Sequence, residues 1–285
     1  MPVMSNVLIN TPEWLASRKL GSSDAAAILG VNPYRTPYQV WGEKTGILGP
    51  CEENEAMRWG KLLEPVIAQE FSERSSLKIE KNMTMAVHKS YDFMTATADY
   101  FVWDNDEFGL LEIKNVNGFS VDYDSENIAD YTTVQVMHQM AVYGLPWAYV
   151  AFLKGGNKLF YQKVYRHEEL IKKIETELKK FWQLVLNKTA PPMSGGDGSL
   201  LDEMYPTSNK QSIQLPSAER LAFDYMAAKK EARLADSRAD DYAARIKAKM
   251  GYYELAHAGP YRISWKSGSN KNRRFMITEL KNGQN

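Results

Sequence analysis

The sequence predicts a mixed α/β (α+β) protein, and three observations predict it. Around 99–116, apolar and polar residues alternate with a period of two on either side of a polar turn, the pattern of a β-hairpin. A second pair of such runs, 147–153 and 158–165, flanks Gly155, Gly156 and Asn157. Between and beside them, 54–75, 131–143 and 167–187 carry apolar residues at helical spacing. A chain of 285 residues, 25% of them charged, can bury a substantial core as one domain with an appendage or as two domains.

From the N-terminus, Arg18 precedes Ser22, Ser23 and Asp24, any of which can cap a short helix over 25–29 that Gly30 ends. The free amides at that helix start, with Arg18 before them, read either as a phosphate site or as an ordinary cap. Tyr34, Tyr38 and Trp41 read as packing residues. In the helix over 54–75, Leu63, Val66, Ile67 and Phe71 form the apolar stripe, and Pro65 should kink or restart it. Glu64 lies one position off that stripe, either solvated or reaching toward the hairpin. A strand over 77–87 and a short run over 94–98 lead into Asp99.

The stretch 99–116 carries the chemistry. A strand begins at Asp99, a turn over 104–109 is expected to use Gly109 as its permissive residue, and a strand over 110–116 runs back. On the return strand Leu111 and Ile113 point one way while Glu112 and Lys114 point the other. Two carboxylates and an ammonium thus converge on one face, a site for a hard divalent cation with a lysine beside whatever the cation binds. A Glu-x-Lys on a solvated strand is the plainer reading. Against it, Leu110, Leu111, Ile113 and Val116 mark this strand as buried.

Residues 117–130 read as a loop near the site, mobile in character. In the helix over 131–143, Val134, Met137, His138 and Ala141 share one side, and Gln135 and Gln139 stack four apart on another. His138 is either a ligand or base, or a packed histidine. The helix over 167–187 buries Leu170, Ile171, Ile174, Leu178, Phe181, Trp182 and Val185. Pro, Gly and Ser over 191–199 mark the best domain boundary. Beyond it Ser217 caps a helix to Met250 whose Leu221, Tyr225, Ala228, Ala232, Ala235, Ala239, Tyr242 and Ile246 keep alternating four–three spacing. That seam fits another helix of this chain or of a second subunit. Runs 261–266 and 274–277 form a basic hairpin about 267–270, with Tyr261 and Trp265 alternating with its charges as on a nucleic-acid surface. The resulting division is 1–190, a linker over 191–216, and an extension over 217–285.

Composition excludes several classes. The single Cys51 rules out an internal disulfide and a cluster held by four cysteines of this chain, and it points to a reducing compartment. No apolar run approaches a membrane span, and residues 1–11 lack the regions of a signal peptide. Net charge is zero but uneven: residues 242–285 hold nine Lys and Arg against Glu254 and Glu279, so they carry +7 and the remainder −7. A basic end on an acidic body fits either a polyanion partner or a solubilising tail.

Five ordered blocks resemble the YqaJ-like viral recombinases, the alkaline exonucleases of the lambda phage type. They are Trp14, Arg18 and Ser23-Asp24; 59–64 (Trp-Gly-Lys-Leu-Leu-Glu); 95–99 (Thr-Ala-Thr-Ala-Asp); 111–114 (Leu-Glu-Ile-Lys); and 135–139 (Gln-Val-Met-His-Gln). The resemblance covers about 10–187. It implies a restriction-endonuclease-like core with a mixed central sheet flanked by helices. It also implies Mg²⁺-dependent digestion (Mn²⁺ as a possible substitute) of one strand of duplex DNA from the 5′ end, leaving a 3′ single strand for recombination. By the same resemblance Glu64, Asp99, Glu112 and the Ile113 carbonyl are metal ligands, Lys114 positions the attacking water, Gln135 helps hold that lysine and the phosphate, and Arg18 and Ser23 receive a terminal 5′-phosphate. Met137 stands where a second glutamine is common, and Ala98 where a proline often precedes the aspartate. Implied partners are double-stranded DNA ends, a single-strand annealing protein and further copies in a ring trimer, in the cytoplasm of a bacterial host, with a phage or prophage origin. The alternatives are an endonuclease or nuclease of other polarity on the same core, and a non-catalytic DNA-binding scaffold for recombination.

Overall fold

The computed structural model describes residues 3–8, 11–267 and 272–280. The chain divides into two compact units, Met1–Thr207 and Ser208–Asn285. The first opens with β1 (Val3–Leu8), α1 (Pro12–Ser17), α2 (Ser22–Ile28), α3 (Pro37–Thr45) and α4 (Glu55–Ser75). It continues through β2 (Lys78–Lys81), β3 (Thr84–Val87), β4 (Thr95–Ala96), β5 (Tyr100–Asp104), β6 (Glu107–Val116) and α5 (Asp130–Tyr143). It closes with β7 (Trp147–Lys154), β8 (Lys158–Tyr165), α6 (Glu168–Leu186) and α7 (Gly198–Met204).

A five-stranded sheet in the order β2-β5-β6-β7-β8 is its spine. Only β6 and β7 run parallel, so the sheet is mixed, with β6 at its centre. Strand alternation sends Leu111 and Ile113 to one side, where Ile67, Ala68 and Phe71 of α4 cover them. Leu110 and Val116 go to the other side, into a larger core with α2, α5 and α6. Glu112 and Lys114 share that second face, toward α5. A smaller sheet, β1-β3-β4, lies in the same unit.

Several expectations are corrected. The strand over 77–87 is two strands, β2 and β3, separated at Asn82, whose side-chain amide donates to the Ala98 carbonyl (3.0 Å). α4 runs unbroken through Pro65, and Val66 is 60% exposed while Ala68 takes its place against the sheet. The turn between β5 and β6 is made by Asn105 and Asp106, both at positive φ, and Gly109 lies inside β6. Gly109 is glycine for another reason: a Cβ there would meet the Trp147 ring at 2.2 Å. The loop over 117–130 is pinned, with Tyr123 buried and Lys154 Nζ donating to the Ser120 and Tyr123 carbonyls (2.7 and 2.6 Å). The run 191–199 also belongs to the first unit. Asp197 is buried there and accepts from Thr36 Oγ1 (2.5 Å), so the division falls after Thr207.

The second unit contains α8 (Glu219–Met250) and an antiparallel sheet of β9 (Leu255–Ala258), β10 (Tyr261–Ser267) and β11 (Arg273–Glu279). α8 starts after a 3₁₀ turn over Pro216–Ala218, and β9 is a strand beyond the two expected. The expected hairpin turn at 268–270 lies outside the described residues. Stacking of the Arg273 guanidinium on Trp265 (3.6 Å to the ring centre) holds the sheet's start.

Candidate active site

β5 begins at Tyr100, opposite Leu111, so its backbone pairing stops two residues short of Ile113, and the Asp99 side chain fills the gap. The Ile113 N–H donates to Asp99 Oδ2 (2.8 Å), so a side chain continues the ladder where backbone stops. Four contacts from α5 and from the chain after β2 fix the run leading to Asp99. His138 Nε2 donates to the Thr95 carbonyl (3.0 Å), Gln139 Nε2 to that of Thr97 (3.3 Å), Tyr143 Oη to that of Ala96 (3.4 Å) and Asn82 Nδ2 to that of Ala98 (3.0 Å). His138 is therefore a packed histidine. Burial drops its pKa to about 4, so it is neutral, and it acts as a strut for β4.

Glu112 is 3% exposed and carries three donors. Lys114 Nζ (2.6 Å) and Gln135 Nε2 (2.5 Å) reach its Oε1, and Gln139 Nε2 (2.7 Å) reaches its Oε2. Gln135 Oε1 accepts from Lys114 Nζ in turn (2.9 Å), which closes a three-membered ring of side chains. Gln139 is a site residue that the spacing did not assign a role. The signal was present, since two glutamines a turn apart on one helix face must meet the same neighbour. Lys81, on β2, was likewise unassigned; it pairs with Glu64 and lies over the Tyr100 ring at 4.7 Å.

The electrostatics follow from this packing. Burial, then the Glu112 and Glu64 charges, raise the Asp99 pKa well above the usual carboxylate value. Burial works against the Lys114 ammonium, but Glu112 and Asp99 outweigh it and hold its pKa above the ordinary value. Lys114 is thus a fixed cation beside carboxyl groups that repel one another.

Asp99, Glu64, Lys81, Gln135, Arg18 and Ser23 all line one cleft of about 990 Å³ within the first unit. Glu112 and Lys114 do not line it themselves but are bonded to Gln135, which does. Arg18 Nη2 donates to Ser23 Oγ (3.0 Å), and its guanidinium lies against Trp14 (5.4 Å to the ring centre). It occupies the space a Cβ on Gly21 would need, 2.7 Å from Arg18 Nε. The expected helix over 25–29 is α2, which begins earlier, at Ser22, and its Gly21 amide is taken by Asp24 Oδ2 (2.9 Å). Ser22 Oγ, buried in the same wall, has no hydrogen-bond partner among the described residues.

All side-chain donors expected for a cation are oxygens, which suits a hard divalent ion, and the mutual repulsion at Asp99 is what such an ion relieves. Among the described residues, no three His, Cys, Asp or Glu side chains are drawn together to hold one, and Glu64 is paired with Lys81. The donor chemistry fits such an ion.

The fold is that of the alkaline exonucleases. The crystal structure of LHK-Exo from Laribacter hongkongensis is 22% identical and matches over 63% of this chain and 94% of its own, with a TM-score of 0.50. A second structure, LHK-Exo in complex with dAMP, is 20% identical over 68% of this chain and 97% of its own, with a TM-score of 0.51. At these identities the likeness concerns the fold. The chain itself belongs to the YqaJ-like viral recombinase family: residues 13–146 match that domain, and the protein YqaJ of Bacillus subtilis (strain 168) is 33% identical over 272 residues, 92% of this chain and 85% of that protein. No helix among the described residues is long and apolar enough to cross a membrane.

Proposed function

We propose that this chain is a Mg²⁺-dependent exonuclease that degrades one strand of linear duplex DNA from its 5′ end and leaves a 3′ single strand for recombination. One observation carries the reading. Glu112 and Lys114 share one face of the central strand, 2.6 Å apart, their charges act on Asp99, and Gln135, which bonds them both, lines one cleft with Asp99 and Arg18. Family membership and fold support it, and the dAMP held by LHK-Exo is the size of product that an exonuclease releases.

Asp99 and Glu112, with the Ile113 carbonyl and Glu64 once freed from Lys81, would hold the cation, which when bound supplies Lewis-acid polarisation of the phosphate and a more acidic water. The remaining work belongs to the chain. Lys114 orients a water and offsets charge that develops on the phosphate. Gln135 keeps the lysine in place through its own bond to Glu112. Arg18, with the Ser23 and Ser22 hydroxyls, receives the terminal phosphate through paired hydrogen bonds and so selects an end and a direction. A ring trimer, a single-strand annealing partner and action in the cytoplasm of a phage-infected bacterium complete the reading, and Mn²⁺ would substitute for Mg²⁺.

The test is digestion of 5′-phosphorylated linear duplex with Mg²⁺, then with EDTA. The expected result is strand loss from 5′ ends that EDTA stops, with closed circular duplex left intact. Cutting of the circle would establish an endonuclease instead, and no metal binding by calorimetry would leave a DNA-binding scaffold. Arg18→Ala is expected to slow digestion of phosphorylated ends about tenfold more than that of hydroxyl ends, the cost of one charged hydrogen-bonding pair. Equal loss on both would remove the phosphate pocket. Gln139→Leu frees Glu112 Oε2 and is expected to lower the rate about tenfold while Lys114 and Gln135 keep the other oxygen. An unchanged rate would make Gln139 a structural strut only.

A further inference from the structure

We propose that α8 docks antiparallel against α8 of a second copy of this chain. Its seam runs from Leu221 to Ile246 over about seven turns. Leu221, Tyr225 and Tyr242 on that seam are 71%, 63% and 57% exposed. Its middle is a shallow groove with Ala228, Ala232 and Ala235 as floor and Glu231, Leu234 and Arg238 along one edge. Alanines there let two helix axes approach to the short end of the ~8–10 Å range for packed helices.

The apolar seam alone does not choose its occupant; the charges beside it do. One flank carries Asp224, Glu231, Arg238 and Arg245 at seven-residue intervals, acidic in the first half and basic in the second. The other carries Lys229 and Asp236. Turn a copy end for end about the point between Arg233 and Leu234. Tyr225 then opposes Tyr242 of the second copy, Ala228 opposes its Ala239, and Ala232 opposes its Ala235. In the same register Asp224 meets Arg245 of the second copy, Glu231 meets its Arg238, and Lys229 meets its Asp236. Every flanking pair is of opposite sign, and the twofold axis makes each pair twice. A parallel copy would pair Asp224 with Lys229 but set Glu231 against Asp236, like against like, and leave Arg238 and Arg245 facing no charge. Within the chain Asp224 is held by Arg220 (3.0 Å), while Glu231 and Arg238 have no ion pair among the described residues.

The proposal stands apart from the nuclease reading, and its readout is a covalent link rather than activity. In full-length chains with Cys51→Ser, Ala228→Cys and Ala239→Cys are made singly, mixed and mildly oxidised. The expected result is a disulfide-linked dimer from the mixture and none from either chain alone, because residue 228 lies opposite 239 and not opposite itself. Linking of Ala228→Cys to itself would establish parallel pairing and overturn the proposal, as would no linking in the mixture. Adding Glu231→Lys to both chains should slow linking about tenfold. Adding Arg238→Glu as well should restore it, since the exchanged charges face each other again. Failure of the double exchange to restore linking would also overturn the antiparallel register.

Discussion

Replacing Lys114 with alanine is expected to lower the rate of duplex digestion about 10²–10³-fold, the usual cost of removing one preorganised charge aimed at a developing anion. The size follows from how the lysine is held. Its Nζ donates to Glu112 Oε1 at 2.6 Å and to Gln135 Oε1 at 2.9 Å, so it has one position rather than several. Its raised pKa keeps it an ammonium throughout the neutral range. Alanine leaves Glu112 with two amide donors and no cation, at a stability cost of about 1–3 kcal/mol. The rate comparison therefore belongs at a temperature where circular dichroism shows both proteins folded. Lys114→Arg separates charge from shape, because a planar fork cannot take the tetrahedral position between the two acceptors. It should recover little. Full activity in Lys114→Ala would refute the assignment of this site.

What local pattern could reveal was the central hairpin and the facing of its side chains. Alternation along 110–116 separates Glu112 and Lys114 from Leu111 and Ile113 whatever the tertiary context, and the sheet keeps that separation. The errors lie where a residue answers to a distant partner. Gly109 reads as a turn glycine because a polar run precedes it, yet it makes room for Trp147, far along the chain. Val66 reads as core by spacing, but α4 is rolled so that the smaller Ala68 meets the sheet. α5 shows a modest apolar side in sequence and is buried along nearly its whole length, so even Thr132, His138 and Gln139 are covered. Nothing in the 191–199 composition reports that Asp197 reaches Thr36 across 161 positions. The candidate site was legible in part because its members are polar residues in otherwise apolar elements. Gln139 and Lys81 escaped because each serves another side chain.

Asp24 is the buried group on which the cleft wall depends, and acid should expose that dependence. Its carboxylate accepts from Arg35 Nη1 (2.6 Å), lies 3.1 Å from Lys44 Nζ and accepts the Gly21 amide (2.9 Å), with no exposure to solvent. Burial works to raise its pKa, but Lys44, Arg18 and Arg35 overcome this and bring it from 3.8 to about 2. A carboxylate whose pKa is lower folded than unfolded contributes stability above the unfolded value and loses it as pH falls through the folded one. Wild-type stability should thus fall by about 2 kcal/mol between pH 4 and pH 2 from this residue alone. In Asp24→Asn, which keeps an acceptor for Gly21 but cannot titrate, that part of the pH dependence should vanish. Asp24→Ala should cost about 3–5 kcal/mol at neutral pH, because Lys44 loses its carboxylate and Arg35 keeps only Glu43. Urea unfolding at pH 4, 3 and 2 measures all three proteins, and parallel curves for wild type and Asp24→Asn would rule Asp24 out. The same carboxylate orients Gly21, and Gly21 is what leaves space for the Arg18 guanidinium. Even a folded Asp24→Ala chain should therefore discriminate less between phosphorylated and hydroxyl ends. That ties the stability of α2 to the end of DNA the cleft accepts.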